Sequence, residues 1–99
     1  MDLTCPLVRL VIDLIADDYE EIGMIMEEVR KRAVEFRVRP TVAEVKDILV
    51  QLVACGLATA VRLDPSRPAQ KLTVDDLAIF EADYYFLLTS QGRLLLEQG

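Results

Sequence analysis

The stretch from Thr41 to Gly56, TVAEVKDILVQLVACG, constrains this chain more than any other. Pro40 stands before it and pushes the preceding residue out of the α region, so no helix runs in from the left. Thr41 and Glu44 have the spacing of a capping box. In that motif the threonine hydroxyl accepts the Glu44 N–H and the glutamate carboxylate accepts the Thr41 N–H. Val42, Val45, Ile48, Leu49, Leu52 and Val53 recur at intervals of three and four and share one helix face. Gly56 supplies a left-handed stop. The alternating run Ala58–Leu63 then predicts a strand.

Upstream, residues 3–16 (LTCPLVRLVIDLIA) predict a first helix, with Thr4 or Cys5 at its cap and Pro6 in its first turn. Its apolar residues cover half the circumference or more, whereas one core contact needs a narrower stripe. This allows two readings. The helix is buried deep in its own domain, or it turns a second side to a partner subunit through Leu3, Leu7, Val8, Val11, Ile12 and Ile15. Asp18 and Glu21 have capping-box spacing and open a second helix, Tyr19 to Phe36. Its early acids and its late Arg30, Lys31 and Arg32 suit the helix dipole. Val34–Arg39 also alternates, which leaves a short extended piece open before Pro40.

Downstream, Asp64-Pro65-Ser66-Arg67-Pro68 reads as a turn. Residues 69–83 are too long a stretch to be structureless in a compact domain. Within them Thr73-x-x-Asp76 is a cap signal, and Val74, Leu77, Ile79 and Phe80 predict a short apolar helix. Asp83–Leu88 predicts a returning strand with Tyr84 and Tyr85 on opposite faces. Thr89 caps a last helix, Ser90–Gln98. QKLTVDDLAIFE echoes YFLLTSQGRLLLE, with Thr73 matching Thr89, and this reads as reuse of a capping pattern.

The run LVQLVACGLATAVRL resembles the third helix and first wing strand of winged-helix domains. YYFLLTSQGRLLLEQ resembles the wing-return strand and following helix of bacterial winged-helix regulators, of the multiple-antibiotic-resistance and phenolic-acid-responsive types. The resemblance spans residues 19–98, and its Leu88-Thr89-x-x-Gly92-Arg93 pattern speaks for the fold rather than for a function. Ninety-nine residues make a single domain, 1–99, and the resemblance implies that it is of α+β class and mostly helical. The expected architecture is a winged helix-turn-helix with an N-terminal helix, a two-stranded wing carrying a short helical insertion, and a C-terminal helix. It also implies a DNA-binding transcriptional regulator. Gln51 would face base edges, Arg67 would reach the minor groove from the wing tip, and Arg37, Arg39, Lys46, Arg62 and Lys71 would face phosphates of double-stranded DNA.

The charge pattern bears on that implication in both directions. A net charge of −6 argues against a nucleic-acid binder taken whole. Residues 30–71, however, hold nine of the eleven basic residues and four of the seventeen acids, +5 against −11 for the remainder. The outer face of the third helix carries Ala43, Glu44, Asp47, Val50 and Gln51, and its two carboxylates have the wrong sign for phosphates. A second reading is therefore a winged-helix protein–protein interaction module without sequence-specific DNA binding. A hydrophobic content of 53% is high for so small and charged a chain, which favours a homodimer or another protein partner.

No apolar run reaches membrane-spanning length, and the N-terminus lacks the basic start of a secretory signal. Cys5 and Cys55 then read as reduced thiols, and the expected location is cytoplasmic. There is no histidine, no C-x-x-C, and no glycine-rich nucleotide loop, so neither an enzyme nor a cofactor or metal site is expected.

Overall fold

The computed structural model describes residues 5–35 and 40–98. In chain order it contains α1 (Pro6–Leu14), β1 (Glu20–Glu21), α2 (Ile22–Ala33), α3 (Val42–Ala54), β2 (Ala58–Arg62) and β3 (Gln70–Lys71). A 3₁₀ turn (Asp75–Ala78), β4 (Tyr84–Leu88) and α4 (Ser90–Gln98) complete it. Among the described residues the fold is α+β, with four α-helices and one antiparallel sheet of strand order β1-β4-β2-β3.

α3 forms as its sequence dictates. Thr41 Oγ1 accepts the Glu44 N–H at 3.1 Å, and Glu44 Oε1 accepts the Thr41 N–H at 3.3 Å. Val45, Leu49 and Leu52 are buried, with Ile48 and Val53 half-buried against the same core. Val42, at the helix start, is exposed instead. Gly56 takes φ +74°, a backbone state that side chains disfavour. The Gly56 N–H returns to the Val53 carbonyl at 3.1 Å and the Leu57 N–H to that of Leu52 at 2.9 Å. Together these two bonds make a Schellman stop, which satisfies otherwise orphaned helix carbonyls.

α1 packs against α2 and α3, and the Leu88 N–H bonds the Ile15 carbonyl at 2.8 Å, fixing the end of α1 to β4. Leu7, Val8, Val11, Ile12 and Ile15 are all buried by the chain itself. Of the two readings of the wide apolar arc, burial within the domain accounts for these five side chains, which lie against two neighbouring helices. Leu3 lies outside the described residues.

α2 begins at Ile22, not Tyr19. The D-x-x-E pattern does not cap it: Asp18 Oδ1 accepts the N–H of its neighbour Tyr19 at 2.7 Å, and Glu21 precedes the helix in extended geometry. The reason is tertiary, since Glu20 and Glu21 pair with Phe86 and Tyr85 of β4. Ile22, Ile25, Val29 and Ala33 form the buried stripe. Lys31 meets Glu27 at 3.3 Å and Arg32 meets Glu28 at 3.6 Å, pairs one turn apart. Val34 and Glu35 lie in a turn. Phe36 and the rest of the alternating piece fall outside the described residues.

The sheet's inner face is built from small residues opposite large ones. Ala58 opposes Leu88 and Ala60 opposes Phe86, all four buried, and Arg62 opposes Tyr84 at the end of the row. The two alanines leave room for the helices above, while Phe86, fully buried, fills the centre. Thr89 closes the far end of the core. Its hydroxyl donates to the Gly56 carbonyl at 2.8 Å and accepts the Gly92 N–H at 3.1 Å, so one side chain joins the stop of α3 to the start of α4.

Candidate interaction surface

β3 lies on one edge of β2 and β4 on the other, so residues 72–83 must cross from edge to edge. They do so over the end of the inner face. The Leu72 N–H bonds the Ala60 carbonyl at 2.8 Å before the crossing, and the Leu63 N–H bonds the Asp83 carbonyl at 3.1 Å after it. Thr73 and Asp76 form the expected cap: Asp76 Oδ2 accepts the Thr73 N–H at 2.8 Å, and Thr73 Oγ1 accepts the Asp76 N–H at 3.4 Å. The cap opens a single 3₁₀ turn rather than a longer helix. Leu72 and Leu77 are buried, while Phe80 stacks on Phe86 with ring centroids 5.7 Å apart. The Tyr84 hydroxyl donates to the Asp76 carbonyl at 3.2 Å. Each anchored apolar side chain contributes roughly 1.5–3 kcal/mol, which holds the crossing segment against the domain.

This crossing changes the electrostatics of the ribbon. Arg62 extends beneath the segment, with its guanidinium 5.2 Å from the Tyr84 ring centre and hydrogen-bonded through Nη2 to Glu81 Oε2. Its Nε is buried and lies 3.3 Å from Asp83 Oδ2, an ion pair whose geometry falls short of a hydrogen bond. Partial burial opposes the guanidinium's charge, but Glu81, Tyr84 and Asp83 outweigh it and raise the Arg62 pKa. Arg62 is therefore a fixed cation already matched by carboxylates. The expectation that Arg62 faces phosphates meets a guanidinium paired within its own chain.

Lys46 is also drawn to the crossing segment. It is half-buried on α3, with its ammonium 5.4 Å from the centre of the Phe80 ring. Gln51 is exposed on α3, Arg67 is exposed in the turn and Lys71 is exposed on β3. Arg67 and Lys71 have no ion-pair partner among the described residues. Arg37 and Arg39 lie outside the described residues. At the turn itself, Asp64 Oδ1 accepts the Ser66 N–H at 2.9 Å and its hydroxyl at 2.8 Å, and these bonds lower the Asp64 pKa.

Between α3 and the crossing segment runs an open trough of about 390 Å³, lined by Ala43, Lys46, Asp47 and Val50 on one side and Leu77–Phe80 on the other. Ile79 is 73% exposed at its edge. A second groove, about 480 Å³, lies between α2 and α3 among Met26, Val29, Val34, Val42 and Val45. Among the described residues no cluster of metal-binding side chains occurs, and no helix is long and apolar enough to cross a membrane.

The sequence indicated Lys46 and Arg62 as cations but not their partners. Glu81, Asp83 and Phe80 come to them only through the crossing. The available signal was that residues 72–83 contain four acids and no base. Comparison with known families, curated proteins and solved structures finds no match.

Proposed function

We propose that this chain is a winged-helix protein-interaction module that does not read DNA sequence. The fold reading is supported by the order of elements: a helical pair, α2 and α3, followed by a ribbon whose return strand β4 runs back through the sheet. The observation that carries the functional reading is the pairing of Arg62 with Glu81 and Asp83. A cation saturated by its own chain has little left for a phosphate. α3 meanwhile presents Glu44, Asp47 and Val50 beside Gln51, whereas base readout relies on Arg, Lys, Asn or Gln aimed at base edges.

One observation favours the DNA-binding regulator as a second reading. Arg67 and Lys71 stand exposed on the ribbon without carboxylate partners among the described residues. Titration of a labelled mixed-sequence duplex at low salt separates the two readings. The interaction module leaves the duplex unshifted at micromolar protein. A regulator shifts it, and the log of its affinity falls with log salt by about 0.9 for each phosphate neutralised.

A further inference from the structure

We propose that the trough between α3 and the crossing segment seats a cationic amphipathic helix of a partner protein. This rests on the interaction-module reading and specifies its partner. Two properties of the trough select the occupant. Most of its lining residues are apolar, Ala43, Val50, Leu77 and Ile79 among them, and Ile79 is largely exposed and outside the hydrophobic core. An isolated exposed isoleucine is ordinary, but one beside an open apolar trough is an anchor for another apolar surface.

The second property is charge. α3 and residues 72–83 together carry Glu44, Asp47, Asp75, Asp76, Glu81 and Asp83 against Lys46 alone. Asp47 and Lys46 line the trough itself, and exposed Glu44, Asp75, Asp76 and Glu81 lie within two residues of its lining along the chain, so the two elements that border it are net negative even with Arg62 counted. Asp76 is kept ionised by its bonds to Thr73, and Asp47 and Asp75 have no cation partner among the described residues. Lys46 belongs to the wall, with its ammonium over Phe80. A phosphate-bearing ligand is repelled by this field. A helix with apolar residues three and four apart, flanked by Lys or Arg, matches both the trough and its rim.

The test uses the whole chain and two labelled helical peptides, one built from leucine and lysine and one from leucine and glutamate at the same positions. Binding is followed by fluorescence anisotropy, and the site is mapped by amide shifts in ¹H–¹⁵N spectra. The expected result is that the lysine peptide binds at least tenfold more tightly and that shifts centre on Asp47, Val50 and Ile79. Ile79→Asp is the decisive variant because it adds a negative charge at an exposed position. Unspecific attraction would make it bind the lysine peptide better, whereas a seated helix loses at least tenfold with an unchanged fold by circular dichroism.

Equal binding of the two peptides overturns the proposal. So does a shift map centred on the separate groove that Asp13, Asp17, Glu20 and Glu28 line beside α1 and α2, although that result leaves the interaction-module reading standing. Self-association abolished by Ile79→Asp also overturns it, by making a second copy the occupant. A tight duplex shift removes the module reading itself.

Discussion

Replacing Leu77 with alanine tests whether the crossing segment is part of the core. Leu77 is 3% exposed, so nearly all of the side chain is out of water and the whole of the removed part counts. At about 0.8 kcal/mol for each buried methylene-sized group, removing three of them costs roughly 2.4 kcal/mol. A cavity adds to this, but the 3₁₀ turn lies at the surface, with Asp76 and Ala78 exposed on either side, and it can settle inward. The total therefore belongs near the lower end of the ~2–5 kcal/mol range for such truncations. For a domain of this size that lowers the melting temperature by roughly 10–20 °C. Urea unfolding of Leu77→Ala beside wild type measures it, with an unchanged m-value expected. A loss below about 1 kcal/mol would mean that residues 72–83 hang loosely. The covering of Arg62 and the shaping of the trough would then lose their basis.

Single positions elsewhere give three other outcomes. Gly56→Ala should cost about 1–2 kcal/mol in urea melts because the residue sits at φ +74°. The added Cβ itself would meet only Gln91, at an ordinary 3.6 Å, so the penalty is conformational. Gly92→Ala should cost about 1–3 kcal/mol for the opposite reason: its backbone is unstrained, but a Cβ would press on the Leu57 carbonyl and come within 2.7 Å of Leu88. Acid should destabilise the fold through Asp64 and Asp76. Hydrogen bonds from Ser66 and from Thr73 lower their native pKa values, so below the ordinary aspartate range the unfolded chain binds more protons. The stability they contribute is present at neutral pH and lost as pH falls through the lowered native values. A melting-temperature series from neutral to acid pH should show a shallower decline for Asp76→Asn.

What the sequence made legible was chemistry closed within a few residues. The Thr41–Glu44 box, the Gly56 stop, the Thr73–Asp76 cap and the Thr89 cap each involve groups no more than a turn apart, and each formed. β2 and β4 were legible through alternation and aromatic content. β1 was not, because two glutamates carry no strand pattern of their own and pair only where β4 supplies an edge. The same edge displaced the start of α2 from its apparent cap.

The periodicity of α1 told how wide a face is buried, but not whether the chain or a partner does the burying. For Arg62 the missing information was topological. Nothing local says that a segment running from β3 to β4 must pass over the guanidinium, yet that path turns a candidate phosphate contact into an internal ion pair. The Asp64–Ser66 bonds of the turn, by contrast, are local and leave Arg67 outside them.

Residues 72–83 lie against α3 and over the end of β2, and the side chains of Lys46 and Phe80 report on this placement most directly. With the ammonium 5.4 Å from the ring centre, the Lys46 ε-methylene protons should show nuclear Overhauser contacts to the Phe80 ring and a ring-current shift upfield. An unshifted Lys46, with no such contacts while the Phe86 core signals remain intact, would mean that the crossing segment does not lie on α3.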